Sequence, residues 1–294
     1  MTPHETIVWT ACVTPLSDNA ETVDFGSFER TLRRQEAAGN GILLIGTTGE
    51  GASLTSPEKR GIITWATGLN LSVPIMVGVP AYQYADTLDC VQWLYDTSVD
   101  ALLVPTPCYT KPGRRGQHDW FRSMLDAAGR PCMLYNVPSR TGVPLPPETV
   151  SDLAGHPNLW SIKEASGSIE RYEEFMQTGV TLYSGNDDMM PQLGQRGAAG
   201  LVSVASNLWP DETNAYARHC IDQTLTTDQQ SLWSRAITEL FRASNPVPAK
   251  RAMHALGLID TPCLRPPLHP EDLDDLQPLL DLANQIRQEN TVAA

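Results

Sequence analysis

Eight short apolar runs, each followed by a helix-forming stretch, predict an α/β chain folded as a TIM (β/α)8 barrel with a C-terminal helical extension. Three observations support this fold. The runs are short and apolar, as the strands of a buried parallel sheet are. A helical segment separates each run from the next, which is the crossover that parallel neighbours need. Beyond residue 221 the strands stop, and 294 residues accommodate a barrel of about 250 followed by a helical appendage.

In chain order, residues 7–13 are the first strand and 25–38 the first helix, closed by Gly39 and Gly41. Residues 42–45 form the second strand and run into Gly46-Thr47-Thr48-Gly49-Glu50-Gly51. Ser56 as capping residue, with Pro57 in the first turn, opens a helix to residue 70. The unit repeats as strand 74–79 and helix 84–97, strand 101–104 and helix 116–128, and strand 132–135 and helix 147–154. Strand 159–163 with helix 169–177, strand 180–183 with helix 189–195, and strand 201–204 with helix 210–220 complete the series. Helices at 227–244, 246–256 and 270–289 follow, so the expected division is a catalytic barrel over residues 1–224 and a helical segment over 225–294 packed on it.

The 41% hydrophobic and 19% charged content is that of a globular protein, and no apolar run approaches the ~20 residues that span a bilayer. No membrane segment is expected. The N-terminus MTPHETIVWTACVTP lacks the basic start, apolar middle and cleavage site of an export signal, so a cytoplasmic location is expected. Six cysteines are dispersed without a CxxC pair, which favours buried free thiols over disulfides. A net charge of −13 argues against a nucleic-acid partner. The histidines show neither HxxxH nor HxH spacing, and the glycine-rich loop is neither GxGxxG nor GxxxxGK[ST], so no metal, dinucleotide or nucleoside triphosphate is expected.

In a barrel of this kind chemistry belongs at the C-terminal ends of the strands. Lys163 closes the apolar run Leu159-Trp160-Ser161-Ile162, and a lysine drawn into such an interior loses hydration, which disfavours its ammonium form and frees the amine to attack a carbonyl. Other strand ends add Thr47 and Thr48, Thr106-Pro107-Cys108-Tyr109, and Tyr135-Asn136-Val137-Pro138-Ser139-Arg140. Taken singly, each has a plain structural explanation: a turn, a core tyrosine, a surface arginine. Together, an amine, two phenols, two hydroxyls and a guanidinium are the parts for Schiff-base chemistry on a keto acid.

The blocks VTP at 13–15, GTTGE at 46–50, PIMVGVP at 74–80, TPCY at 106–109, YNVPSRTG at 135–142, IKEASG at 162–167, YSGNDD at 183–188 and NPVPAK at 245–250 cover nearly the whole chain. In them the chain resembles the dihydrodipicolinate synthase and N-acetylneuraminate lyase family of pyruvate-dependent class I aldolases, its synthase members in particular. The resemblance implies condensation of pyruvate with L-aspartate 4-semialdehyde to 4-hydroxy-tetrahydrodipicolinate, in lysine and diaminopimelate biosynthesis. It implies no cofactor other than the covalent Schiff base of pyruvate on Lys163, and a homotetramer built as a dimer of dimers. Tyr135 would be the general acid/base, and Thr47 would link it to a Tyr109 supplied by the neighbouring subunit. Thr48, assisted by backbone groups near Val202, would bind the pyruvate carboxylate. Arg140 would receive the carboxylate of the second substrate, with Gly185 lining the same pocket.

Three departures stand out. Gly51 replaces a frequent serine and Cys108 a frequent tyrosine, while Lys59 and Tyr82 stand where histidine and asparagine are frequent; in regulated members these positions surround an L-lysine pocket. An added cation repels a cationic ligand, so inhibition by L-lysine is expected to be weak or absent. Asn186 in the YSGNDD block is the third, and it leaves the alignment of that loop open by one residue. The rival readings are a sugar-acid lyase or 2-keto-3-deoxy acid aldolase of the same family, against which Arg140 speaks, and a catalytically silent barrel acting as a binding module, against which the set Lys163, Tyr135, Thr47 and Tyr109 speaks.

Overall fold

The computed structural model describes residues 1–293. Eight parallel strands close in sequence order: β1 Val8–Ala11, β2 Gly41–Leu44, β3 Ile75–Gly78, β4 Ala101–Pro105, β5 Cys132–Asn136, β6 Leu159–Glu164, β7 Thr181–Ser184 and β8 Gly200–Ser203, with β8 pairing back onto β1. Helices α1 Phe25–Ala37, α2 Ser56–Gly68, α3 Tyr84–Tyr95 and α4 Arg114–Ala128 follow the first four strands. The short α5 Pro138–Thr141 and then α6 Pro147–Leu153 follow β5, and α7 Ile169–Met176, α8 Met190–Gly194 and α9 Pro210–Ile221 follow the last three. The remaining helices are α10 Thr227–Leu240, α11 Val247–Ala255 and α12 Gln277–Ala293. Among the described residues no helix is long and apolar enough to cross a membrane.

Side-chain alternation divides the core into two shells. On β2, Leu43 points inward to meet Trp9, Met76 and Leu103, whereas Ile42 and Leu44 join the shell between strands and helices. Between β5 and β6 the register slips once, Cys132 pairing with Leu159 and Met133 with Ser161, which turns the extra residue Trp160 into the interior against Trp9 (6.0 Å) and Tyr183 (5.4 Å). Beyond that bulge Ile162 packs outward, and Lys163 faces inward. The extension is joined to the barrel by an aromatic stack of Trp233 on Tyr216, with ring centroids 4.2 Å apart.

Three local expectations are corrected. Gly41 does not close α1; it opens β2, where a Cβ would lie 2.6 Å from the Trp9 ring. The α2 cap is Thr55, whose hydroxyl accepts from the Glu58 N–H while the Glu58 carboxylate accepts from Thr55 N–H at 2.8 Å, so Ser56 is already helical. The stretch 270–289 is not one helix. A 3₁₀ turn spans Pro270–Asp272, and α12 starts afresh at Gln277 because Pro278 cannot donate to the preceding turn.

Candidate active site

The C-terminal end of β6 carries Lys163, only 6% exposed. It is paired in register with Tyr135 on β5 and Tyr183 on β7, and its Nζ lies 4.4 Å from the centroid of the Tyr135 ring. Loss of hydration pulls the Lys163 ammonium down to about 8; buried Asp187 opposes that shift and the Arg140 guanidinium reinforces it. With such a value about a tenth of the lysine is free amine at pH 7, against fewer than about one part in a thousand for an ordinary lysine. Tyr135 is pushed up to about 12 by burial, partly offset by the Arg140 charge and by a hydrogen bond with the Thr47 side chain. Its phenol therefore holds its proton at neutral pH and can donate it.

Arg140 projects from α5, which exists because Pro138 is compatible with the first turn of a helix. It is exposed at the mouth, and its charge reaches both Lys163 and Tyr135. Gly185, just after β7, touches the lysine directly: a Cβ there would lie 2.9 Å from Lys163 Cε and 2.6 Å from Ala165 Cβ. Its N–H donates to the Glu164 carbonyl at 2.7 Å. Val202 is buried in the same interior cluster as Tyr135. Thr48 is 3% exposed on the loop after β2, and its hydroxyl accepts from Asn245 Nδ2 at 2.9 Å. Tyr109 stands apart. It is 78% exposed, with a left-handed backbone (φ 66°) that turns its ring toward Tyr82, 6.3 Å away.

Sequence reasoning passed over the residues that hold these groups. On the outward side of β5 and β6, Asn136 Nδ2 donates to Glu164 Oε2 at 2.6 Å, and Leu145 N–H donates to Asn136 Oδ1 at 2.9 Å. This bond pins the register in which Tyr135 and Lys163 face each other and ties down the segment after α5. Burial raises Glu164, although its bonds to Asn136 and Ser166 favour the carboxylate. Asp187 accepts from the Ser203 hydroxyl and from Val204 N–H at 3.0 Å, and burial raises it too. Glu50 and Lys250 form a fully buried ion pair at 2.7 Å. The YSGNDD and NPVPAK blocks contain Asp187, Asn245 and Lys250, so block membership was the available signal.

Two other features lie outside this cluster. A cleft of about 250 Å³ between α2 and α3 is lined by Ser56, Lys59, Arg60, Tyr82 and Asp86 among others, and desolvation lowers the half-buried Lys59. Gly51 lies beside it in sequence, where a Cβ would sit 2.2 Å from the Ile45 carbonyl oxygen. All six cysteines are free, and among the described residues no group of three His, Cys, Asp or Glu side chains is placed to hold a metal.

The family model of the dihydrodipicolinate synthetase family matches residues 5–286. A curated relative, the 4-hydroxy-tetrahydrodipicolinate synthase of Francisella tularensis subsp. novicida, is 43% identical over 282 residues, covering 95% of each chain. The 4-hydroxy-tetrahydrodipicolinate synthase of Methylacidiphilum fumariolicum SolV superposes with a TM-score of 0.89 at 27% identity, covering 97% of both chains. The chloride-inhibited dihydrodipicolinate synthase of Acinetobacter baumannii, complexed with pyruvate, superposes with a TM-score of 0.88 at 30% identity, covering 95% of this chain and 99% of that one. With a closed eight-stranded barrel, a desolvated lysine at its mouth and a family match over nearly its whole length, the chain belongs to the dihydrodipicolinate synthetase family.

Proposed function

We propose that this protein is a lyase that condenses pyruvate with L-aspartate 4-semialdehyde to give 4-hydroxy-tetrahydrodipicolinate, a cytoplasmic step of lysine and diaminopimelate biosynthesis. The observation that carries the reading is the desolvated Lys163 amine set against the protonated Tyr135 phenol. The Lys163 amine attacks the keto carbon of pyruvate, Tyr135 supplies the proton with which the carbinolamine oxygen leaves as water, and an imine remains. The imine nitrogen withdraws electrons, so a C3 proton leaves to give an enamine. The enamine carbon attacks the aldehyde carbon, and the resulting alkoxide takes a proton. The amino group of the joined semialdehyde then displaces Lys163 by transimination and closes the ring. The chain needs no resident cofactor for these steps.

Thr48 donates to the pyruvate carboxylate, and the planar fork of Arg140 suits the carboxylate of the second substrate. Tyr109, exposed in the single chain, completes the Thr47–Tyr135 hydroxyl chain of a neighbouring subunit, which makes the working form an oligomer, a tetramer of two dimers in this reading.

The test is direct. The protein is incubated with pyruvate, reduced with borohydride and mapped by mass spectrometry. An adduct on the Lys163 peptide is expected, and its absence would sink the mechanism. In a coupled assay L-aspartate 4-semialdehyde, but not N-acetylneuraminate, is expected to be turned over; the reverse result would reassign the substrate.

A further inference from the structure

We infer that Asn245, at the entrance to α11, is a positioning residue that commits the Thr48 hydroxyl to donate its proton to the carboxylate of the keto-acid substrate. The inference rests on the reading above, in which Thr48 receives that carboxylate.

A threonine hydroxyl has one proton and two lone pairs, and nothing intrinsic decides whether it donates or accepts toward a ligand. In loops such hydroxyls commonly spend their proton on a nearby backbone carbonyl, which leaves only lone pairs to offer. A carboxylate, being acceptor only, would be repelled by those lone pairs. The amide nitrogen of Asn245 lies 2.9 Å from Thr48 Oγ1 and can only donate, so it occupies a lone pair and leaves the proton available. Among the described residues no carbonyl takes that proton.

A second contact holds the loop against the start of α11. Two residues beyond Thr48, the Glu50 carboxylate accepts from Lys250 Nζ at 2.7 Å and from Arg265 N–H at 2.8 Å, while Lys250 Nζ also donates to the Thr14 carbonyl at 2.9 Å. The Lys250 and Glu50 side chains are 0% and 1% exposed. A buried pair of this kind tolerates little slippage, because loss of either partner strands a charge. Thr48 and Glu50 are thus latched to Asn245 and Lys250 at two points, and the helix start and the loop behave as one piece. The residues that bind substrate lie in the barrel; the residue that sets the polarity of one of them lies in the extension.

The experiment uses the full chain with pyruvate as the only ligand, reading borohydride-trapped adduct against pyruvate concentration for Asn245→Ala, Asn245→Asp, Thr48→Val and the Asn245→Ala/Thr48→Val pair. Asn245→Ala is expected to raise half-saturating pyruvate about 3- to 10-fold with little change in the maximal extent of trapping, the loss of one modest hydrogen bond. The isosteric Asn245→Asp keeps the packing, but its carboxylate captures the Thr48 proton. Its half-saturation should rise further, and the excess over Asn245→Ala should shrink as pH falls and the new acid becomes a donor. In the Thr48→Val background Asn245→Ala should add nothing. Unchanged half-saturation in Asn245→Ala, or effects that multiply in the double variant, would overturn the inference. Absence of any adduct in the unmodified protein would instead refute the proposed function, so the two failures are distinguishable.

Discussion

Tyr135 and Lys163 are register partners on neighbouring parallel strands, and the lysine Nζ sits 4.4 Å from the centre of the tyrosine ring. The pairing makes their separate contributions measurable. Tyr135→Phe keeps the ring that shapes the amine's surroundings and removes only the proton donor, so adduct formation should slow by about 10²- to 10³-fold without being abolished. Lys163→Met should abolish the adduct altogether. Rapid-quench trapping with borohydride distinguishes a slowed rate from a lost site.

The depressed lysine sets a pH dependence in two observables. Trapping should climb about tenfold per pH unit at low pH and level off near pH 8, where the amine is free. Arg140→Ala removes one of the causes of that depression and should move the inflection to higher pH. Stability runs in the same direction: between about 8 and the unfolded lysine's ordinary value the unfolded chain holds the extra proton, so stability rises with pH across that window. Below pH 8 both states are protonated and the folded state bears the full cost of the buried ammonium. Lys163→Met should therefore stabilise the protein at pH 7 by on the order of 3 kcal/mol, read from urea unfolding.

Gly185 is irreplaceable for a reason of space alone. Its backbone dihedral is not the obstacle; the obstacle is Ala165 Cβ at 2.6 Å, with Lys163 Cε at 2.9 Å and the Glu164 carbonyl oxygen at 3.0 Å from any added Cβ. Gly185→Ala should cost about 1–3 kcal/mol in stability and displace the amine from Tyr135. The expected result is a folded protein whose trapping rate falls at least tenfold.

A tyrosine borrowed from a partner can be tested by complementation. Tyr109→Ala and Lys163→Ala variants should each be nearly inactive. After unfolding, mixing and refolding together, dimers containing one of each would have one intact site, and activity should return to about a quarter of the unmodified value at equal mixing. No recovery would show that Tyr109 serves its own chain.

L-Lysine should inhibit weakly or not at all. Lys59 and Arg60 line the cleft between α2 and α3, Tyr82 closes one side of it, and no side chain projects from Gly51. Steady-state assays with added L-lysine provide the check, and an inhibition constant in the low-millimolar range or tighter would contradict the expectation.

The barrel and its lysine were legible in the sequence for one reason. Strand parity is a local property, and Ile162, packed outward, places Lys163 inward whatever the rest of the chain does. Tyr135 and Gly185 were legible as parts of blocks at other strand ends. The support of the site was not. Thr48 and Asn245 are 197 positions apart and Glu50 and Lys250 are 200 apart, so no periodicity or spacing rule joins them. The Asn136–Glu164 bond escaped notice because each residue follows a more conspicuous neighbour and faces the other way. Errors at helix boundaries had equally local causes: Thr55 outcompeted Ser56 as cap because Glu58 stands three residues after it, and Pro278 restarted a helix that apolar spacing alone would have continued.

The contact between Gly51 and Ile45 also constrains where this enzyme can go by mutation. With Ile45 itself in the left-handed region (φ 61°) and its carbonyl oxygen 2.2 Å from where a Cβ at position 51 would be, no single codon change places a serine there without rebuilding the turn. A side chain at position 51 would first require residues 45–51 to be rerouted, and those same residues carry Thr47 and Thr48. The crowding at Gly51 and the two hydroxyls proposed to serve the site thus lie on one short stretch of backbone, so a change that relieves the first displaces the second.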